Sequence, residues 1–80
     1  MSYTPENLAE LNVLTLYDLS TNQEGIKIHK TADPSVIAAA HSLFEKGILT
    51  QEDGGYLTSL GREAAEHAQS LSTMLNAHSA

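Results

Sequence analysis

The chain has 80 residues, enough for one domain, and its ten acidic against four basic side chains leave a formal net charge of −6. It contains no cysteine, which excludes disulfides and thiolate metal sites. A molecule of this sign repels phosphate backbones and anionic lipid at long range, so a nucleic-acid role needs a local basic patch acting against the overall field.

Hydrophobic residues make up 41% of the chain, but aromatics only 5%, so aliphatic side chains must build the core. The opening "MSYTPENLAE" has no basic start followed by an apolar stretch, and no run approaches the ~20 apolar residues of a membrane span. The expectation is a soluble, cytoplasmic single domain over residues 1–80.

In "TPENLAELNVLTLYDLS", Thr4 suits a helix N-cap and Pro5 the first helical position, where its missing N–H costs nothing. Leu8, Leu11, Leu14 or Thr15, and Tyr17 to Leu19 recur at three-to-four spacing, which predicts an amphipathic helix over about residues 5 to 19. Two signals then conflict in "STNQEGIKIHKTADP". Thr21-x-x-Glu24 has the form of a capping box and predicts a helix from about 22 to 30, whereas "GIKIH" alternates as a strand does and would pair with a hairpin edge.

"DPSVIAAAHSLFEKGIL" predicts a third helix, with Asp33 as N-cap, Pro34 at the first position, and Val36, Ile37, Ala40, Leu43 and Phe44 on one broad face. Gly47 stops it, being able to take the left-handed conformation of a C-cap. Asp53-Gly54 marks a tight turn between "ILTQ" and "GYLT", and the two arms can turn Ile48, Leu49, Tyr56 and Leu57 toward the helices. Thr58 or Ser59 then caps a final helix over about 59–76. On it Leu60, Ala64, His67, Leu71 and Met74 alternate at four and three, with Ala68 and Leu75 beside them, the spacing of a helix seam. These seven residues are the candidate interface of a homodimer; the alternative is that Leu60, Ala64 and Leu71 merely cover the three-helix core.

The segment "LFEKGILTQEDGGYLTSLG" resembles the part of MarR-type and PadR-type bacterial regulators in which a recognition helix ends in Leu-x-x-x-Gly-Leu-Ile, a hairpin wing follows, and Leu-Thr-x-x-Gly opens the next helix. Leu43, Gly47, Ile48, Leu49, Leu57, Thr58 and Gly61 stand at the matching positions. Most of the chain is also similar to a bacterial family of short uncharacterised proteins. The resemblance implies a mainly α fold with a small β-hairpin, α+β in class: a winged helix-turn-helix-like three-helix core plus a C-terminal helix. It also implies a recognition helix starting at Asp33 to Ser35, and it favours the helical reading of residues 21 to 30.

Carried onto this sequence, the resemblance implies double-stranded DNA as a partner, with Lys27, Lys30, Ser35, Ala39, Ser42, Lys46 and Gln51 as candidate contacts and with Ala38 on the same helix face. Against it, that face has one cation and no arginine, and "QEDGG" puts Glu52 and Asp53 at the wing tip. The alternative is an acidic module that binds another protein. His29, His41, His67 and His78 are far apart, without i, i+4 pairing, so no metal or other cofactor is expected. No nucleophile-and-base spacing or glycine-rich phosphate loop occurs, and an enzyme is not expected.

Overall fold

The computed structural model describes residues 2–77, which form three helices and a three-stranded antiparallel sheet. In chain order these are α1 (Pro5–Leu14), β1 (Ile26–Lys27), α2 (Pro34–Glu45), β2 (Leu49–Gln51), β3 (Gly54–Leu57) and α3 (Ser59–Leu75). The class is α+β, as expected. The sheet order is β1-β3-β2.

α1 starts as its sequence predicts. The Thr4 hydroxyl accepts from the Asn7 N–H at 3.0 Å, and the Asn7 side-chain oxygen accepts from the Thr4 N–H at 3.2 Å. Its end departs from expectation, because the helix stops at Leu14 and not near residue 19. The Leu16 N–H donates to Val13, tightening the last turn, and Asp18 then takes the Ser20 N–H and hydroxyl on one carboxylate oxygen. Such a side-chain turn competes with helix propagation. The buried face also differs: Glu10, Val13 and Leu14 point inward, whereas Leu8 is exposed and Leu11 half-buried.

No helix forms over residues 22–30. The strand reading is the correct one, with Ile26 opposite Gly55 and Lys27 opposite Gly54, and with the Ile28 N–H donating to the Asp53 carbonyl at 2.7 Å. Thr21 caps nothing helical; its hydroxyl accepts from the Gln23 N–H in a local turn. The sequence pattern of a capping box states only that two side chains can reach two amides. Here the sheet edge offers Ile26 and Ile28 a place beside the core that an isolated short helix carrying Gly25 would not. The recognition-helix arrangement implied by the resemblance therefore lacks the helix that should precede α2.

α2 is capped by Asp33, whose carboxylate accepts from the Ser35 N–H, and it ends with Gly47 at φ +78. Ala39, Ala40 and Leu43 are its buried positions, with Val36 half-buried, so Ile37 and Phe44 lie on the flank and not at the centre of the face. The hairpin turn falls on Glu52 and Asp53, one residue earlier than the Asp53-Gly54 dipeptide suggests. β3 carries one more residue than β2 between the pairs Gln51↔Gly54 and Leu49↔Leu57. Gly55, at φ +69, lies within that bulge, and the Tyr56 N–H is taken by the Thr50 hydroxyl. The bulge turns Tyr56 outward, contrary to expectation, while Leu49 is buried and Ile48 and Leu57 are half-buried.

Thr58 joins these parts. Its hydroxyl donates to the Gly47 carbonyl at 2.6 Å and accepts from the Gly61 N–H at 3.0 Å, so one side chain caps α3 and holds the end of α2. The core collects Val13, Leu14, Tyr17, Ala39, Ala40, Leu43, Leu49, Ala65 and Ala68 from all three helices, their flanking turns and the hairpin.

Candidate interaction surface

The face of α2 expected to meet a DNA groove is turned mainly toward α1. Ala39 is 4% exposed and belongs to the core. Ser42 donates from its hydroxyl to Glu10 Oε2 at 3.0 Å, and Lys46 Nζ lies 2.6 Å from the same oxygen. The other carboxylate oxygen, Oε1, accepts from Asn7 Nδ2 at 3.0 Å. Burial raises the Glu10 pKa, but the hydrogen bonds from Lys46, Asn7 and Ser42, with the Lys46 charge, outweigh it and hold the carboxyl below its usual range. Ser35 and Ala38 remain exposed at the mouth of a shallow cleft of about 320 Å³ between the two helices, floored by Ala9 and Ala39.

The remaining cations are dispersed or engaged. Lys27 Nζ pairs with Asp53 at 3.0 Å. Arg62 donates to the Leu19 carbonyl at 2.6 Å and to the Thr21 carbonyl at 3.3 Å. Lys30 is exposed beside His29 and Asp53, without an ion pair among the described residues. Gln51 is exposed at the hairpin, opposite Gly54, with Lys27 on the other side of β3. Of the seven DNA candidates, Ser42 and Lys46 meet on a carboxylate, Ser35, Ala39 and Ser42 line the cleft beside α1, and Lys27 and Lys30 lie near Asp53 at the hairpin, on which Lys27 is already paired. His41 stands between Glu52, 3.3 Å from Nδ1, and Glu45, 3.6 Å from Nε2, so the wing-tip acids also meet partners of this chain.

On α3 the candidate interface divides. Ala68 is 5% exposed and packs in the core with Gly61 and Ala65, so it is not available to a partner. Ala64 and Leu71 are half-buried; Leu60, His67, Met74 and Leu75 are exposed, the last two at 70% and 75%. His78 lies outside the described residues. No group of three or more His, Asp or Glu side chains suited to a metal ion occurs among the described residues, and no helix there is long and apolar enough to cross a membrane.

Sequence reasoning did not find the partners of Glu10, Tyr17, Arg62 and Gln69. The Tyr17 hydroxyl donates to the Gly55 carbonyl at 3.1 Å, and burial pushes its pKa up to about 12. Gln69 Nε2 donates to the carbonyls of Leu14, at 3.2 Å, and Tyr17, at 2.7 Å, satisfying backbone that the end of α1 leaves open. One signal was present: Glu10, Val13, Leu14 and Tyr17 fall at i, i+3, i+4 and i+7, and a lone carboxylate on such a stripe calls for a partner.

No curated protein and no solved structure matches the chain. A family model matches residues 1–76, nearly its whole length, and the chain belongs to that family, described as a family of unknown function (DUF5669).

Proposed function

We propose that this chain is an acidic protein-interaction module and not a reader of DNA. The observation that carries this reading is the closure of α2 by α1: Ser42 and Lys46, which should donate to phosphates or base edges, both donate to Glu10. Freeing Lys46 for a phosphate means leaving a buried carboxylate with one cation fewer, a cost added to that of approaching an anion with a molecule of net charge −6. Exposed apolar side chains on α3 supply the contact material that a protein partner needs.

A winged-helix regulator is the second reading, favoured by one observation: α2, the glycine stop, the hairpin and the Thr58-capped α3 follow in the order the resemblance implies. In that reading Lys30 is the cation free to touch phosphate, and Lys30→Glu should weaken any binding. Fluorescence anisotropy with random-sequence duplex DNA across a salt series separates the two. No binding even at low salt is the expected result. Binding that falls steeply with salt, with a slope set by the number of phosphates contacted, overturns the proposal.

A further inference from the structure

We infer that the partner of α3 is a second copy of this chain, paired along the outward stripe Leu60, Ala64, His67, Leu71 and Met74. This deepens the protein-interaction reading and rests on it. α3 has two adjacent stripes. The inner one, Gly61, Ala65 and Ala68, is buried in the monomer. The outer one keeps the four-three alternation of a helix seam, and its members are exposed or half-buried. A seam places the same spacing on both helices, and a two-fold pair supplies it from a single sequence.

Charge selects the place where two copies can touch. Each carries −6 overall, so most pairs of surfaces bring carboxylates together. The stripe itself contains no carboxylate: Glu66 lies off it and Glu63 borders its exposed edge between Leu60 and His67, while Arg62, also off it, is tied to the carbonyls of Leu19 and Thr21. In an antiparallel pair about the middle of the stripe, His67 meets His67 of the other copy, and Leu60 and Leu71 of one helix face Met74 and Ala64 of the other.

Area sets the strength. The 17 residues of α3 make a helix about 25 Å long and ~10 Å across, whose one stripe falls short of the ~800 Å² per partner of a standard interface. The dimer is therefore weak and dependent on concentration. Because two acidic bodies approach each other, added salt strengthens it; a basic helix docked on the same stripe would be weakened by salt.

Sedimentation equilibrium on the full chain from about 5 to 500 µM, a range bracketing micromolar affinity, tests the inference. The wild type should pass from one toward two chain masses as concentration rises, and further at about 0.5 M than at 0.05 M salt. Met74→Glu, at a site 70% exposed and outside the core, should stay at one chain mass. His67→Leu should dimerise at a concentration at least about tenfold lower, since it replaces a polar seam position with an apolar one. Circular dichroism of each variant checks that the fold is retained. One chain mass throughout for the wild type and His67→Leu, a dimer indifferent to both substitutions, or open-ended assembly overturns the inference. Duplex binding in the anisotropy experiment overturns the reading beneath it, so the two failures are separately visible.

Discussion

Lys46 Nζ lies 2.6 Å from the Glu10 carboxylate and ties the last turn of α2 to the buried face of α1. The two residues are 36 positions apart in sequence, and this contact decides what α2 can offer to a partner. Glu10 is 6% exposed and Lys46 half-exposed, so the pair is asymmetric: the carboxylate depends on the ammonium more than the reverse.

Removing the cation should therefore destabilise the fold. Lys46→Ala leaves Glu10 with Asn7 and Ser42 only, and we expect a loss of about 1–2 kcal/mol, below the value for a fully buried pair because Lys46 is screened by water. Lys46→Glu should cost more, since it faces Glu10 with a like charge. Urea denaturation at neutral pH measures both. It follows that a charge reversal at Lys46 perturbs the fold as well as any anion contact.

Acid should weaken the protein in a defined direction. Glu10 has a folded-state pKa below its usual value, so the unfolded chain binds its proton first as pH falls. The stability it contributes is complete above the ordinary carboxylate range and is lost as pH falls through the lowered folded value. Asp18, Asp33 and Asp53 act in the same sense, held low by hydrogen bonds to Ser20, Ser35 and Lys27 respectively. Thermal unfolding followed from pH 6 to about pH 2.5 should show the decline, and Glu10→Gln should flatten part of it.

Tyr17→Phe should cost about 0.5–1.5 kcal/mol, because it removes a buried hydrogen bond to the carbonyl of Gly55, a residue that stays paired with Ile26 across the sheet. The phenol also makes stability fall at high pH. Its folded pKa is about 12, above the ordinary value of 10.0, so the unfolded chain loses the proton first and the contribution present below pH 10 disappears as pH rises toward 12. Denaturant midpoints between pH 9 and about 11.5 should drop for the wild type and drop less for the variant.

Gly61→Ala reverses the usual sign for a helix. Alanine in place of glycine in a helix gains roughly 1 kcal/mol of propensity. At position 61, however, an added Cβ would collide with the Ile48 backbone carbonyl and press on the Leu57 side chain. Backbone at that point is held by Thr58 and cannot retreat cheaply. We expect net destabilisation, with α3 shifted away from the hairpin. Differential scanning calorimetry checks the sign, and a higher melting temperature would contradict the packing argument.

Much of the architecture was legible from local chemistry. Thr4-Pro5, Asp33-Pro34 and Thr58 each start a helix as their side chains dictate, and Gly47 ends one. The segment at 21–30 was not legible, because a capping box and a two-residue alternation are both short signals and neither includes the strand that answers one of them. Ile26 finds its partner at Gly55, which is 29 positions later. The end of α1 was hidden for a similar reason: Tyr17 reads as a helical apolar residue until its hydroxyl is seen to reach the hairpin bulge.

By itself the sequence determined where α1, α2 and α3 begin, which glycine stops α2, that a hairpin joins α2 to α3, and that the molecule is acidic. Those are properties of neighbouring residues or of totals, and they need no knowledge of what lies across the core. Tertiary structure alone decided which faces are free. Ala39 and Ala68 vanish into the interior, Lys46 turns to Glu10, and Leu60, His67 and Met74 of the outer stripe of α3 stay exposed, because burial and charge pairing depend on elements brought together from distant parts of the chain.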